Sequence, residues 1–210
     1  MTEPIVLYAE ELWDSPYVFS VFVALHEKKL PFVTRVLQLS RGEQRGDDYR
    51  ARSLTARVPC IEHDGFTLSE SLAIHEYLDE VFPEPRLLPE GTRERARARQ
   101  ILGWLRSDLM PLREDRPSDT MFYARSTKPL SERGQASARK LLEIADRLIP
   151  AGEGPLFGAF SIADADLTFM LQRLLANGDP VPERVRAYAE AQWQRASVQA
   201  FVQQPRPDKP

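Results

Sequence analysis

The sequence predicts two units of different class, a small α/β unit followed by an all-α unit. Three observations carry this expectation. Residues 1–82 alternate short β-branched apolar runs with helical apolar spacing. A Pro/Gly-containing stretch, residues 84–91, then interrupts the pattern, as linkers do. Beyond it the apolar residues recur at helical spacing almost to the end.

Ile5-Val-Leu-Tyr8 is an apolar, β-branched run suited to a strand buried on both faces. Ser15-Pro16 opens a helical pattern over Tyr17 to Lys28, with Val18, Val21, Phe22 and Leu25 on one stripe and Pro31 as its stop. Phe32 to Leu39 reads as a second strand. Residues 40–57 are polar and arginine-rich, a loop with one helical turn around Tyr49–Leu54. Cys60 to His63, the turn pair Asp64-Gly65, and Phe66 to Leu68 read as a hairpin. A helix from Glu70 to about Phe82 closes the unit before Pro83. In the second unit, Ile101, Leu102, Leu105, Leu109 and Leu112 mark one helix, residues 138–149 a second and residues 167–175 a third. Shorter helical patterns cover residues 183–194 and 197–203, and the tail 204–210 is expected to fray.

The 210 residues are enough to bury roughly 70% of the unfolded surface without a staple. Cys60 is the single cysteine, which rules out an intrachain disulfide and fits a reducing, cytoplasmic setting. The acidic N-terminus does not read as a signal peptide, and no run approaches a membrane span, so export and membrane insertion are not expected. Residues 1–90 carry 9 basic and 16 acidic side chains, net −7, whereas residues 91–210 carry 19 and 15, net +4. An acidic first unit argues against nucleic acid as a partner, and the arginines of residues 93–99 spread around a helix instead of forming a stripe.

Four short motifs could carry chemistry. Ser15-Pro16 is a favoured helix start, with Ser15 as N-cap; a hydroxyl there, beside unpaired N–H groups and the positive end of a helix dipole, could equally hold a thiolate, unless Glu10, Glu11 or Asp14 faces it. Val58-Pro59 is either an ordinary strand start or a cis-proline that leaves the Val58 backbone free to pair with an extended peptide. Leu68-Ser-Glu-Ser71 offers Ser69 as a cap and Glu70 as a first-turn acid, or else a cradle in which Ser71 binds a carboxylate and Glu70 an ammonium. Ser161-x-x-Asp164 matches a capping box, a folding device. Cys60 and His63 point to opposite faces of a strand, and His26 and His75 lack partners at ligand spacing, so no metal site is expected. Cys60 stands outside any Cys-x-x-Cys, which gives no sign of dithiol chemistry.

In this order these features resemble the glutathione S-transferase superfamily across nearly the whole chain. Segments 97–113 and 192–198 look like a bacterial branch with a serine-type site. The resemblance implies a thioredoxin-like domain over 1–83 that binds glutathione, the linker 84–91, and a helical-bundle domain over 92–210 that contributes the electrophile pocket. It assigns Glu70 and Ser71 to the γ-glutamyl end of glutathione and the backbone of Val58, before a cis Pro59, to the cysteinyl part. Ser15 would donate to the sulfur. Arg57 is placed near the glycine carboxylate on charge alone. Tyr8, close to the end of the first strand, competes with Ser15 as thiolate stabiliser. Trp13, Trp104, Leu105 and Met110 are candidates for the pocket wall, with core packing as the alternative. The implied activity is conjugation of glutathione to small hydrophobic electrophiles, with reduction of hydroperoxides beside it, in a homodimer serving detoxification and oxidative stress. A non-catalytic glutathione- or protein-binding member is the alternative. A glutathione-dependent disulfide reductase is a further one, set back by serine in place of cysteine at position 15.

Overall fold

The computed structural model describes residues 4–152 and 154–209. Two compact units emerge: one runs to Leu87 and takes in the chain again from Gln199, and the other is Leu88–Val198.

In the first unit, β1 (Ile5–Glu10) leads through a short loop to α1 (Pro16–Glu27), then β2 (Phe32–Leu37). Two 3-10 turns and α2 (Asp47–Arg50) precede the hairpin β3 (Cys60–His63) and β4 (Phe66–Ser69), and α3 (Ser71–Val81) follows. The strand order is β2-β1-β3-β4. β1 is parallel to β2 and antiparallel to β3, and β4 is antiparallel to β3. This is the expected mixed α/β arrangement of a thioredoxin-like domain. β1 is central, which explains why it reads as an unbroken apolar run: Leu7 and Ala9 are fully buried, and Tyr8 nearly so. Tyr8 and Cys60, paired across the strands, pack with Tyr49 of α2. Leu7 and Ile61 lie on the opposite face, where α1 and α3 pack together. β1 runs two residues beyond the expected Tyr8, because Ala9 and Glu10 stay in register with Val36 and Leu37.

Lys28 closes this unit after α1. Its ammonium is fully buried, paired with Asp79 at 2.7 Å and donating to the carbonyls of Phe82 and Pro85. Asp79 in turn accepts from the Leu87 N–H at 2.8 Å.

The second unit is helical: α4 (Thr92–Ser107), α5 (Met110–Asp115), α6 (Asp119–Phe122), α7 (Glu132–Leu148), α8 (Ile162–Leu175) and α9 (Glu183–Trp193). The apolar stripe through Leu112 suggests one helix, but the chain breaks at Asp108-Leu109, where Leu109 has φ +65°. Pro111 explains the break: a continued helix would drive its ring into the carbonyl of Ser107 and lose a hydrogen bond. α8 is the core helix, buried on nearly every side and packed against α4 and α9. Its start is the expected capping box. Asp164, without solvent exposure, accepts from Ser161 N at 2.9 Å and Ser161 Oγ at 2.8 Å, and also from Leu156 N–H and Tyr188 O–H.

The tail differs from the expectation of a fraying end within the helical unit. α10 (Ala196–Val202) carries the chain to Phe201, which is fully buried among Trp13, Phe19 and Phe22 of the first unit. Arg206 then bonds back to the carbonyl of Trp13.

Candidate functional site

Strand register decides what lies together. Tyr8, near the end of β1, faces Cys60, the first residue of β3, and Cys60 faces Ser69, the last residue of β4. The loop after β1, the chain entering β3 and the chain leaving β4 therefore meet at one end of the sheet. These three segments carry Ser15, Val58-Pro59 and Glu70-Ser71.

Ser15 is the N-cap of α1, its Oγ accepting from Val18 N–H at 3.3 Å, with Pro16 at the first helical position. The capping role uses one lone pair only. The hydroxyl proton donates to nothing among the described residues, so cap and donor are compatible roles for one side chain. Carboxylates near a thiolate would oppose it, and two of them, Glu10 and Glu11, are held by backbone N–H groups. Glu10 is 3% exposed and turns under the loop, where Oε1 accepts from Asp14 N–H and Ser15 N–H, each at 2.8 Å. Its Oε2 has no partner, and burial outweighs the two hydrogen bonds, pushing its carboxyl up to about 7. Glu11 reaches the segment after β2, accepting from Leu39 and Ser40 N–H at 2.8 and 3.0 Å. Burial would raise its carboxyl, but those hydrogen bonds outweigh it and hold it below the ordinary range.

Tyr8 is turned to other partners. Its hydroxyl donates to Glu62 at 3.0 Å and accepts from Arg35 at 3.4 Å, with its ring 5.5 Å from that of Tyr49. Burial, and then the Glu62 bond, raise its phenol above the ordinary value.

The Val58-Pro59 peptide is cis, and neither the N–H nor the carbonyl of Val58 is bonded among the described residues. Arg57 is exposed; its carbonyl accepts from Tyr49 and Ser53 hydroxyls at 2.8 and 2.9 Å, while its guanidinium makes no hydrogen bond or ion pair among the described residues. The spacing suggests Ser69 as the cap of α3, but Ser69 is held in β4 opposite Cys60. The chain turns instead at Glu70, which takes φ +74° and makes no capping side-chain bond. The start of α3 thus lacks a side-chain cap, a place for an anion. Glu70 itself accepts from Thr55 Oγ1 at 3.2 Å, and Ser71 is 5% exposed.

Of the pocket-wall candidates, Trp13 and Leu105 are buried, Trp13 edge-on to Phe22 and Phe201. Trp104 is half-buried and donates to Asp108 at 3.2 Å, and Met110 is exposed. Cys60 is fully buried, its thiol pushed up to about 11 by burial, and donates to Arg52 O at 3.4 Å. Among the described residues no three His, Cys, Asp or Glu side chains are grouped for a metal ion, and no helix is long and apolar enough to cross a membrane. Local spacing gave no sign of Glu10 as the acceptor beneath Ser15, or of Arg206, 193 residues from Trp13.

Comparisons with known proteins agree with this fold. A glutathione transferase homolog from Burkholderia, crystallised with glutathione bound, is 44% identical, with 96% of this chain and 97% of that chain covered and a TM-score of 0.78. A maleylacetoacetate isomerase of Dictyostelium discoideum is 39% identical over 109 residues, 51% of this chain and 49% of that protein. The chain spans about half the length of the maleylacetoacetate isomerases it matches. Glutathione S-transferase Z2 of Arabidopsis thaliana is 26% identical over 206 residues, 94% of this chain and 91% of that protein. The family model for the glutathione S-transferase N-terminal domain matches residues 14–81, and that for the C-terminal domain matches residues 91–205, more than half the chain. The chain belongs to the glutathione S-transferase family.

Proposed function

We propose that this protein binds glutathione at the sheet end, holds its sulfur as thiolate beside Ser15, and adds it to a small hydrophobic electrophile. The observation that carries the reading is the Ser15 hydroxyl at the start of α1, satisfied as an acceptor and with its proton undirected. Lowering a thiol from ~8.5 to ~6.5 takes about 2.7 kcal/mol of preference for the thiolate. A charge-assisted hydrogen bond and a helix N-terminus supply energies of that order. The unbonded Val58 main chain suits pairing with the cysteinyl part, the uncapped start of α3 with Ser71 suits the γ-glutamyl carboxylate, and Glu70 suits its ammonium. Arg57, exposed and with its guanidinium unengaged among the described residues, suits the glycine carboxylate. Tyr8 serves the sheet face, since its proton is spent on Glu62.

The same thiolate supports a second reading, favoured by relatives named maleylacetoacetate isomerase. Addition to a conjugated cis double bond, rotation about the resulting single bond and expulsion of the sulfur would give the trans isomer and return glutathione unchanged. Domain limits of 1–83 and 92–210 along the sequence, with the stretch from Gln199 grouped in space with the first unit, a cytoplasmic setting and a homodimer complete the proposal. For the dimer, α4 and α7 of the second unit flank a 460 Å³ cleft floored by Ile101, Ile144 and Leu148 and edged by Arg97, Lys140 and Arg147. Its basic edge complements the acidic first 90 residues of a second copy.

The test is glutathione conjugation to a chlorodinitrobenzene, with reduction of cumene hydroperoxide and cis–trans isomerisation of a maleyl diacid in parallel, on wild type and Ser15→Ala. The expected result is turnover that falls about tenfold or more in Ser15→Ala, at least ~1.4 kcal/mol of barrier, while glutathione binding survives. Binding without turnover in any assay would favour the non-catalytic alternative, and absence of binding would remove glutathione from the proposal.

A further inference from the structure

The peptide unit that joins Trp13 to Asp14 is gripped at both ends. Its carbonyl accepts from Arg206 Nε at 3.2 Å and Nη2 at 2.9 Å. Its N–H donates to Glu10 Oε1 at 2.8 Å, and the next N–H, that of Ser15, donates to the same oxygen at 2.8 Å. A cation thus pulls on one end of a peptide dipole and a carboxyl on the other, so each bond polarises the peptide in favour of the other. The grip lies one peptide before Ser15. It also holds Trp13 at φ +50°, a left-handed conformation that a bulky residue keeps only where its surroundings impose it.

Arg206 is itself anchored. Nη1 donates to Val202 O at 2.7 Å and Gln204 O at 3.1 Å, Nη2 donates to Phe201 O at 3.3 Å, and the guanidinium sits 5.7 Å from the Phe201 ring. These carbonyls belong to the last turn of α10 and the residues after it, which a cation suits. Phe201 meets the Trp13 ring edge-on at 5.6 Å, so the same two residues, Trp13 and Phe201, are joined by ring packing and bridged by one guanidinium.

We propose that Arg206 is a positioning residue for Ser15, acting through the Trp13-Asp14 peptide and Glu10, so that the C-terminal tail is a working part of the thiolate site. This inference rests on the glutathione reading for what the Ser15 loop does, but not for whether the tail holds the loop. It accounts for the return of the chain from Gln199 to the first unit, and for a tail that is bonded where its composition suggests fraying.

The experiment compares wild type, Arg206→Ala and Arg206→Lys by amide hydrogen exchange resolved at single residues, and by glutathione conjugation kinetics. Expected is faster exchange at Asp14 and Ser15 in Arg206→Ala, unchanged exchange in α8 as the control for an intact fold, and a partial return in Arg206→Lys. The lysine keeps the charge but loses the fork that spans Trp13 and α10. Misplacing the donor lowers kcat by about tenfold with KM for glutathione changed less than about twofold, because binding groups elsewhere are untouched. Unchanged exchange at Asp14 and Ser15 overturns the inference whether or not the enzyme turns over glutathione. Faster exchange with wild-type kcat would also overturn it, reducing the tail to a structural tie. Inactivity of wild type would remove the glutathione reading alone, with the exchange arm still deciding whether Arg206 holds the loop.

Discussion

Glu10→Gln tests the electrostatics beneath the site most directly. In the folded protein burial pushes this carboxyl from 4.5 up to about 7, a gap of about two and a half pH units. At about 1.36 kcal/mol per unit, the gap corresponds to about 3 kcal/mol. The native state binds this proton more tightly than the unfolded chain does. The stability it contributes is therefore fully present below pH 4.5, and it is lost as pH rises through about 7. Glutamine keeps an oxygen to accept the Asp14 and Ser15 N–H groups but cannot ionise. Its amide nitrogen takes the place of an oxygen that has no partner, a cost that does not vary with pH and cancels in the comparison. Urea unfolding of both proteins across pH 4–8 reads the effect. Wild type should lose about 3 kcal/mol relative to the variant between the two ends of that range. A stability difference that stays constant with pH would refute a raised Glu10.

Tyr8→Phe should keep conjugation within about twofold of wild type while lowering stability by about 1–2 kcal/mol, since only the Glu62 and Arg35 bonds are lost; collapse of activity in a folded variant would move the thiolate donor from Ser15 to Tyr8. Ser71→Ala should raise KM for glutathione several-fold with kcat nearly unchanged, as for a group that binds ground and transition states alike; a fall confined to kcat would contradict its place at the γ-glutamyl end. Asp164→Ala should destabilise by about 3 kcal/mol or more, because the Leu156 and Ser161 N–H groups and the Ser161 and Tyr188 hydroxyls lose one acceptor. Thermal unfolding checks it, and a loss under about 1 kcal/mol would mean that the capping box is dispensable.

What was legible in the sequence was what local spacing controls. The apolar run of β1, the Asp64-Gly65 hairpin and the Ser161-x-x-Asp164 cap are each set by neighbours within a few residues. Leu109 shows the limit of that reading. The apolar stripe runs on through Leu112, but Pro111 acts on a carbonyl four residues earlier, and the stripe is blind to it. Ser69 and Glu70 show another: pairing with Cys60 claims Ser69 for the sheet and moves the cap by one residue. Ser15 was legible because its cap geometry is local, whereas Glu10 and Arg206 act across the fold. Glu10 reads in the sequence only as an acid near Ser15, and the fold is needed to show it buried under the loop with Oε1 held by the Asp14 and Ser15 N–H groups.

The return of the chain from Gln199 to the first unit has a consequence for synthesis. Protein chains emerge N-terminus first, and domains generally fold as units in that order. Here β1, α1 and the hairpin leave the ribosome early, but Phe201 and Arg206 follow only after all of Leu88–Val198 has been made. Until then Trp13, Phe19 and Phe22 lack the ring that buries them. A nascent chain stalled within the helical unit would hold a formed sheet with an open apolar seam and an unfastened Ser15 loop. The Ser15 loop is thus fastened only after the helical unit has been made, and a premature stop shortly before Arg206 would leave a folded sheet with that loop unfastened.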